Sequence, residues 1–489
     1  MRKSIPKVVK IYLLVAALCC LLGTSIGVNA AHAEGSASYN YSFWNDTTPA
    51  PAAYEPVLLL NGAQLGVGPF KNPSDIHVTA DKQIYVLDSG NNRIVVLDEQ
   101  WKPVEVIDSF DRGGEKDTFN NPQGIFVTER KELFVADTGN KRVVHLDSDL
   151  RMAGVLEAPK SDLLQANFDF QPVRVVVDKA QRIYVMSTGV FDGFMEFNPD
   201  GAFTSFIGAN RVTVDPVELF WKRMSTKAQR SQMVMFTPTE FTNLDMDDEG
   251  FIYATSGDYS NNPIKKLNAQ GNDILRRTGY FSLVGDTRYS SDIGPSRLID
   301  IDVTDSEMYS VLDSKRGRIF TYSGDGHLLY IFGGLGNQMG QFNSPAAIDR
   351  IGDDFIVLDK AFGEITVFQT TSYGRLLNEA VRSYYSGDEE KAFDLYQQVI
   401  NKNANLEFAY SGVGKALLRK GDYKRAMHYF KESYDHANYS KAYLLYRKQV
   451  LREYFPSVMT GLIVLIAGLL LFKKLRKRMK RQGGVTIES

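Results

Sequence analysis

The chain contains very little cysteine. Its 489 residues include two cysteines, Cys19 and Cys20, and both lie in the apolar stretch 11–22, which follows several basic residues. We expect residues 1–33 to be a secretory signal peptide, because small residues then stand where signal peptidase cleaves. The mature chain would lack thiols, which excludes a disulfide, a redox cysteine and a cysteine metal site.

Net charge is almost absent as well. The 56 Lys and Arg residues nearly balance the 58 Asp and Glu residues, which leaves a formal net charge of -2. Such a chain has no overall field to attract a polyanion, so we do not expect a nucleic-acid partner. Its hydrophobic fraction of 44%, with 25 Tyr and 29 Phe, suits extensive β-structure.

Sequence signatures of catalysis are also missing. The chain has no Gly-x-Ser-x-Gly elbow, no P-loop and no His-Glu-x-x-His helix. Among its six histidines, only His77 falls on a predicted inner strand, so we expect neither a three-histidine zinc site nor any other catalytic or metal residues. The acids Asp245, Asp247, Asp248 and Glu249 lack EF-hand spacing and predict a hairpin turn.

The most prominent feature of the sequence is a repeated segment. Residues 70–93 and 119–142 are copies of one pattern, and a looser copy begins at Phe342. A period near 50 residues is typical of propeller blades. Six prolines open the successive copies, with longer gaps on either side of the fourth: Pro73, Pro122, Pro172, Pro238, Pro295 and Pro345.

A complete copy contains four short strands, whereas the last copy has three, at 344–349, 355–359 and 364–368. We expect residues 55–60 to supply the missing outer strand, because they lie just ahead of the first blade and closing the ring removes a free sheet edge. The sequence therefore predicts a mainly β fold, a six-bladed propeller over residues 54–370.

These copies resemble NHL repeats, most clearly in blades one, two and six. The family's Asp, Asn and Arg pattern is matched at Asp88, Asn91, Arg93, Asp137, Asn140 and Arg142. We interpret these residues as braces within hairpins and between blades, not as a ligand site.

A second, helical repeat follows over residues 373–452. Its corresponding positions lie 34 residues apart: Gly387 and Gly421, Ala392 and Ala426, Tyr396 and Phe430, Ala380 and Gly414. Small residues where two helices touch, followed by aromatic residues one turn later, resemble tetratricopeptide (TPR) repeats. Two copies are few, so we expect the helix from Ser440 onward to cap them. The open alternative is an unspecialised helical stalk.

Residues 455–472 carry no charge, and about 18 residues is the lower end of what a helix needs to span a bilayer. The basic tail 473–489 follows, and such clusters stay in the cytoplasm, where they contact anionic lipid. We therefore expect a single-pass cell-membrane protein with the propeller and the TPR-like repeats outside. Residues 34–53, rich in Ser, Asn, Thr, Pro and Ala, predict a flexible leader.

Four polar residues fall near the predicted openings of inner strands: Asp75, Arg174, Glu240 and Arg297. We expect them to line the mouth of the central channel. Arginines repel a divalent cation, so this set suits a polar ligand and predicts no cofactor. We expect bound calcium only if the protein is instead a metal-dependent hydrolase or lactonase.

The long gap between the third and fourth copies predicts a helical insertion over residues 214–233. Asp215-Pro216 is typical of a helix start. Phe220 and Trp221 give this helix an aromatic face, and we expect that face to bind a partner unless it packs on the ring.

The predicted function is that of a membrane-anchored extracellular binding or scaffold protein. It would dock a protein, peptide or glycan at the cell envelope through the propeller and the TPR-like repeats. The alternative is a membrane-tethered, metal-dependent hydrolase or lactonase with its site at the channel mouth. Bound metal would favour the enzyme, and a stable protein partner would favour the scaffold.

Overall fold

The computed structural model describes residues 38–161, 164, 168–209, 223–226, 239–257, 262–304 and 306–482. The expected signal peptide and most of the helical insertion, with Phe220 and Trp221, lie outside the described residues. The last seven residues of the basic tail also lie outside them.

The described chain begins with a hairpin, then a long strand, then the first blade and a short ribbon. These strands are β1 (Tyr39–Tyr41), β2 (Thr47–Pro49), β3 (Tyr54–Asn61), β4 (Asp75–Val78), β5 (Ile84–Asp88), β6 (Arg93–Leu97), β7 (Pro103–Ile107), β8 (Phe110–Arg112) and β9 (Glu115–Asp117). Blade one is the antiparallel sheet β4-β5-β6-β7.

Blades two to four follow in the same order from the inner strand to the outer strand. Their strands are β10 (Gly124–Val127), β11 (Leu133–Asp137), β12 (Arg142–Leu146), β13 (Met152–Leu156), β14 (Pro172–Val177), β15 (Ile183–Ser187), β16 (Gly193–Phe197), β17 (Phe203–Gly208), β18 (Phe241–Met246), β19 (Ile252–Ser256) and β20 (Ile264–Leu267). Blade four has three strands among the described residues, with an isolated bridge from Leu267 to Asp273 beside its outer edge.

Blades five and six complete the ring. Their strands are β21 (Leu298–Val303), β22 (Tyr309–Asp313), β23 (Arg318–Tyr322), β24 (Leu328–Gly333), β25 (Pro345–Ile351), β26 (Asp354–Asp359) and β27 (Glu364–Thr370). The fourth strand of blade six is β3, which pairs antiparallel with β27 from Glu364 opposite Asn61 to Thr370 opposite Tyr54. The six-bladed propeller and its closure by the leading strand are thus confirmed.

The hydrophobic core lies between neighbouring blades. Tyr85 and Leu87 of blade one, for example, pack with Ile125 and Val135 of blade two. The second strand of blades one to five is buried along its whole length, and that of blade six is buried from Phe355 onward, which explains the largely apolar and aromatic sequence of these strands.

Five helices follow the ring. They are α1 (Ser372–Tyr385), α2 (Glu389–Lys402), α3 (Glu407–Lys420), α4 (Tyr423–Glu432) and α5 (His436–Gln482). Gly387 and Gly421 adopt positive φ values of 82° and 83°, which favour glycine. The side chains of Asp388 and Asp422 then accept N-capping hydrogen bonds from the backbone amides of α2 and α4. The Gly-Asp pairs therefore turn the first helix of each repeat into the second.

The first helices of both repeats pack against blade five. In α1, Asn378 accepts from Tyr330 Oη and donates to Tyr54 Oη, each at 3.0 Å. In α3, Lys415 Nζ lies 3.0 Å from an Asp325 carboxylate oxygen. One hydrophobic cluster runs from blades five and six into the helices as far as Ala442, so the ring and the helices share a core.

The flexible leader expected over 34–53 is wrong for its described part, residues 38–53. Strands β1 and β2 pair, Tyr41 is 3% exposed, and Asn40 Nδ2 donates to the Leu329 carbonyl at 3.1 Å. The composition of this segment suggested a linker because its polar residues are numerous. The two alternating tyrosines that anchor it, Tyr39 and Tyr41, are few by comparison.

Helix α5 begins at His436, somewhat before the predicted Ser440, and continues through Pro456. It is the one helix in the described part of the chain that is long and apolar enough to cross a membrane, judged by length and composition alone. The segment expected to span the bilayer is fully exposed in the isolated chain.

Candidate functional site: an aspartate-lined channel and its vestibule

The inner strands of all six blades enclose a central cavity of about 200 Å³. Its ionisable lining consists of Asp75, His77, Arg174, Asp245, Asp300, Asp302 and Asp349. The carboxylates outnumber the guanidinium groups, even when Arg350 beside Asp302 is included. The channel is therefore acidic.

Four of these aspartates join neighbouring blades in the same way. One carboxylate oxygen accepts the backbone N–H of the next blade's inner strand: Asp75 from Ile125 at 2.9 Å, Asp245 from Val303 at 3.0 Å, Asp300 from Ile348 at 2.6 Å and Asp349 from Val78 at 2.7 Å. The other oxygen accepts the N–H of the residue that follows the aspartate. Hydrogen bonds of this charge-assisted kind are stronger than neutral ones, so these carboxylates brace the ring.

Two arginines, Arg174 and Arg350, partly offset the negative charge of these carboxylates. Arg174 reaches across blades, where its guanidinium donates to the carbonyl oxygens of Gln123 and, at 3.4 Å, of Ser74. Arg350 lies with Nε 2.5 Å from Asp302 Oδ2 and donates from a terminal nitrogen to Ser310 Oγ at 2.9 Å. Arg174 thus makes polar contacts with backbone carbonyls of two other blades, whereas Arg350 neutralises one carboxylate.

Burial shifts the titration of the channel groups. Together with the smaller effect of the Asp302 charge, it raises the pKa of Asp245 to about 7. Burial also raises the pKa values of Asp300 and Asp349 well above the usual range. It lowers the pKa of His77 to about 4, so the neutral ring donates from Nε2 to the Val127 carbonyl at 3.3 Å. Burial thus disfavours the charged form of these carboxylates, whereas His77 is uncharged at neutral pH.

A larger cavity of about 890 Å³, which we call the vestibule, adjoins the channel at His77. It is enclosed by the turns between the first and second strands of blades one to four. Its apolar wall comprises Val78, Phe126, Val127, Val177 and Met246. Ion pairs stand at its rim, including Lys131 with Asp81 at 2.9 Å. Apolar walls, a few convergent polar groups and shifted pKa values are typical of ligand sites.

The structure separates the four residues expected at the channel mouth into two groups. Asp75 and Arg174 line the channel together. Glu240 instead accepts the Gly189 N–H at 3.0 Å, and Arg297 is an exposed residue whose backbone N–H donates to Asp313. Neither belongs to the channel lining.

Sequence reasoning missed Asp245, Asp300, Asp302 and Asp349. The proline-based alignment placed the channel position two residues after the opening proline in blades one to five, which holds for Asp75 and Arg174. In blades four and five the lining begins three residues later, at Asn243 and Asp300, because β18 and β21 begin three residues after their opening prolines. The signal available was the alternation Asp300-Ile-Asp302, which is typical of a strand with one polar face.

The NHL-like Asp, Asn and Arg residues are braces, as the sequence indicated. Asp88 Oδ2 accepts from Asn91 at 2.8 Å and from Arg93 Nε at 2.7 Å, while its Oδ1 accepts the Lys71 N–H. Asp137 repeats this arrangement in blade two. Asp247 accepts two amides of its own turn, which confirms a hairpin there.

Within the described ranges, no three His, Cys, Asp or Glu side chains are grouped so that they could hold a metal ion. The channel aspartates are spread around the ring and already accept backbone amides. The described residues thus offer a polar, carboxylate-lined cavity.

A family model for the NHL repeat matches residues 70–97, which include the first three strands of blade one. No curated protein matches the chain. Among solved structures, virginiamycin B lyase from Staphylococcus aureus is 10% identical with a TM-score of 0.41, covering 65% of this chain and 100% of that one. A streptogramin B lyase is 11% identical with a TM-score of 0.41, covering 66% and 100%. A putative gluconolactonase is 12% identical with a TM-score of 0.39, covering 68% and 98%. Similarity at this level carries no information on activity.

Proposed function

We propose that the protein is a membrane-anchored extracellular binding protein that takes part of a protein, peptide or glycan partner into the vestibule of its propeller. The observation that carries this proposal is the vestibule itself, about 890 Å³ with an apolar wall and a charged rim. Its size is in the range of ligand pockets, and propeller turns are free to vary around it without disturbing the bracing of the ring.

The helical repeats serve in this proposal as a stalk that holds the ring. Both first helices lie on blade five through Asn378, Lys415 and the contact between Phe408 and His327 at 5.0 Å. A helical face that already covers the propeller is not free for a partner. Partner contacts on the repeats would therefore use α2 and α4.

The membrane part of the proposal rests on the apolar segment of α5 and the basic cluster after it. It is tested with single cysteines in a chain whose Cys19 and Cys20 are replaced by serine. We expect D149C, on an exposed turn of blade two, to react with a membrane-impermeant maleimide on intact cells. K477C should react only after lysis. The reverse labelling pattern would refute the proposed orientation.

Binding is tested by placing a photo-crosslinking amino acid at the vestibule rim in the full chain. Arg130 is an exposed rim residue, and Glu105, on the exposed outer strand β7, is the matched control. We expect a defined cell-envelope partner to be captured from position 130 and not from position 105. Capture of the same molecules from both positions, or of nothing from position 130, would contradict the proposal.

A hydrolase remains the second candidate because of Asp245, whose pKa of about 7 suits a general base. Metal analysis of the purified full chain separates the two candidates. One equivalent of calcium or zinc, together with hydrolysis of a simple lactone that is lost in D245N, would favour the enzyme over the binding protein.

A further inference from the structure

The turn between β1 and β2 displays a tryptophan at the surface. Trp44 is 67% exposed, although the turn that carries it is well defined. The Ser42 N–H donates to the Asp46 carbonyl at 2.9 Å, and the Asn45 N–H donates to the Ser42 carbonyl at 2.8 Å. The exposed indole is thus presented by a hydrogen-bonded turn.

Neighbouring elements fix this turn from two sides. On the helical side, Phe43 stacks on Tyr434 with ring centroids 4.7 Å apart, and Trp44 meets Tyr434 edge-on at 6.0 Å. On the propeller side, Thr287 donates to the Asn45 side chain, and Arg288 pairs with Asp46 at 2.5 Å. We call Phe43, Trp44 and Tyr434 the aromatic platform.

Tyr434 has an unusual backbone conformation for a bulky residue. It lies two residues after α4 and has a φ of 54°, which is costly for such a side chain. The comparable left-handed residues after α1 and α3 are Gly387 and Gly421. At this helix end, a tyrosine in place of glycine brings an aromatic ring against Phe43 and Trp44.

Three features decide what covers the platform. Three rings offer far less than the roughly 800 Å² per partner of a stable protein interface. A membrane surface is remote, because α5 runs for about 28 Å between the platform and the apolar segment at Phe455. The platform is flanked by the carboxylate of Asp46 and the guanidinium of Arg288, which are 62% and 51% exposed.

We propose that the aromatic platform binds a pyranose ring of a glycan. The C–H face of the sugar stacks on the free face of Trp44, and its hydroxyl groups bond to Asp46 and Arg288. Sugar rings match this surface because they are ring-sized, apolar on one face and polar at the edge. This site lies away from the vestibule and does not rest on the function proposed above.

The test uses the full chain in detergent micelles and three probes: cellotetraose, chitotetraose and maltotetraose. We expect at least one to bind by calorimetry, with a loss of affinity of tenfold or more in Trp44→Ala and a smaller loss in Asp46→Asn. Phe191→Ala, which removes another exposed aromatic residue on blade three, should leave affinity unchanged.

Absence of binding for all three probes would overturn the proposal. Equal affinity of Trp44→Ala and the unchanged protein would also overturn it, since the stacking surface is then not used. Because Trp44 is mostly exposed, its loss leaves the fold intact, which thermal unfolding of the variant verifies. Vestibule crosslinking from position 130 is unaffected by Trp44→Ala, so failure here and failure of the proposed function are distinguishable.

Discussion

Replacing Asn378 with alanine should loosen the helical stalk from the ring. Asn378 is 1% exposed and joins α1 to two hydroxyls, Tyr330 on the outer strand of blade five and Tyr54 on the closing strand. A buried polar group that loses its partner costs about 1–3 kcal/mol. With two hydroxyls affected, we expect the free energy of unfolding to fall by about 2–4 kcal/mol.

The assay is urea unfolding of the full chain in micelles, with Asn401→Ala as the control. Asn401 is an exposed residue of α2, and its replacement should change the free energy by less than about 0.5 kcal/mol. We expect Tyr330→Phe alone to lower the free energy of unfolding by less than Asn378→Ala does. The double variant should lower it by less than the sum of the two single variants, because phenylalanine at position 330 has no hydroxyl that could lose its partner. This account of the interface would be refuted if Asn378→Ala destabilised the protein no more than Asn401→Ala does. Strict additivity of Asn378→Ala and Tyr330→Phe would also refute it.

Three further predictions concern pH and packing. The folded-state pKa of Asp245 is raised to about 7, so the stability of the native chain should fall by on the order of 4 kcal/mol as pH rises from about 4 through 7. Asp245→Asn should remove this fall, and urea unfolding across that pH range checks it. His327 has its pKa lowered to about 4 by burial, so the folded state resists protonation and stability should fall as pH drops from 6.5 towards 4; His327→Gln should remove that slope in the same assay. Gly414→Ala should cost about 1–3 kcal/mol in thermal unfolding, because an added Cβ would lie 2.6 Å from the Phe430 ring, whereas Gly468→Ala, with open space around it, should have no measurable effect.

Sequence reasoning worked best where local chemistry repeats. Strand β3 extends by one residue beyond each end of the predicted 55–60. Turn glycines and asparagines set these limits, and period-two alternation identifies the buried face. Such features act within a few residues, so a single chain displays them.

The parts that failed depend on contacts between distant segments. The turn at Trp44 is ordered by Tyr434 and by Arg288, which are far away in sequence. Channel positions Asp300 and Asp349 follow register shifts at the starts of β21 and β25, which spacing from the opening prolines does not reveal. The order of the turn leaves no local pattern, because its stabilising partners lie in distant segments.

The central claim is that the leading strand closes the ring, and a disulfide test addresses it most directly. Glu55 pairs with Gln369 across β3 and β27, whereas Glu364 pairs with Asn61 at the far end of the same ladder. Paired residues on antiparallel strands lie about 4.5–5.5 Å apart, within reach of a disulfide. In a chain with Cys19 and Cys20 replaced by serine, we predict an intramolecular disulfide in E55C/Q369C and none in E55C/E364C. Crosslinking of the second pair, or of neither, would contradict closure of the propeller by its own leading strand.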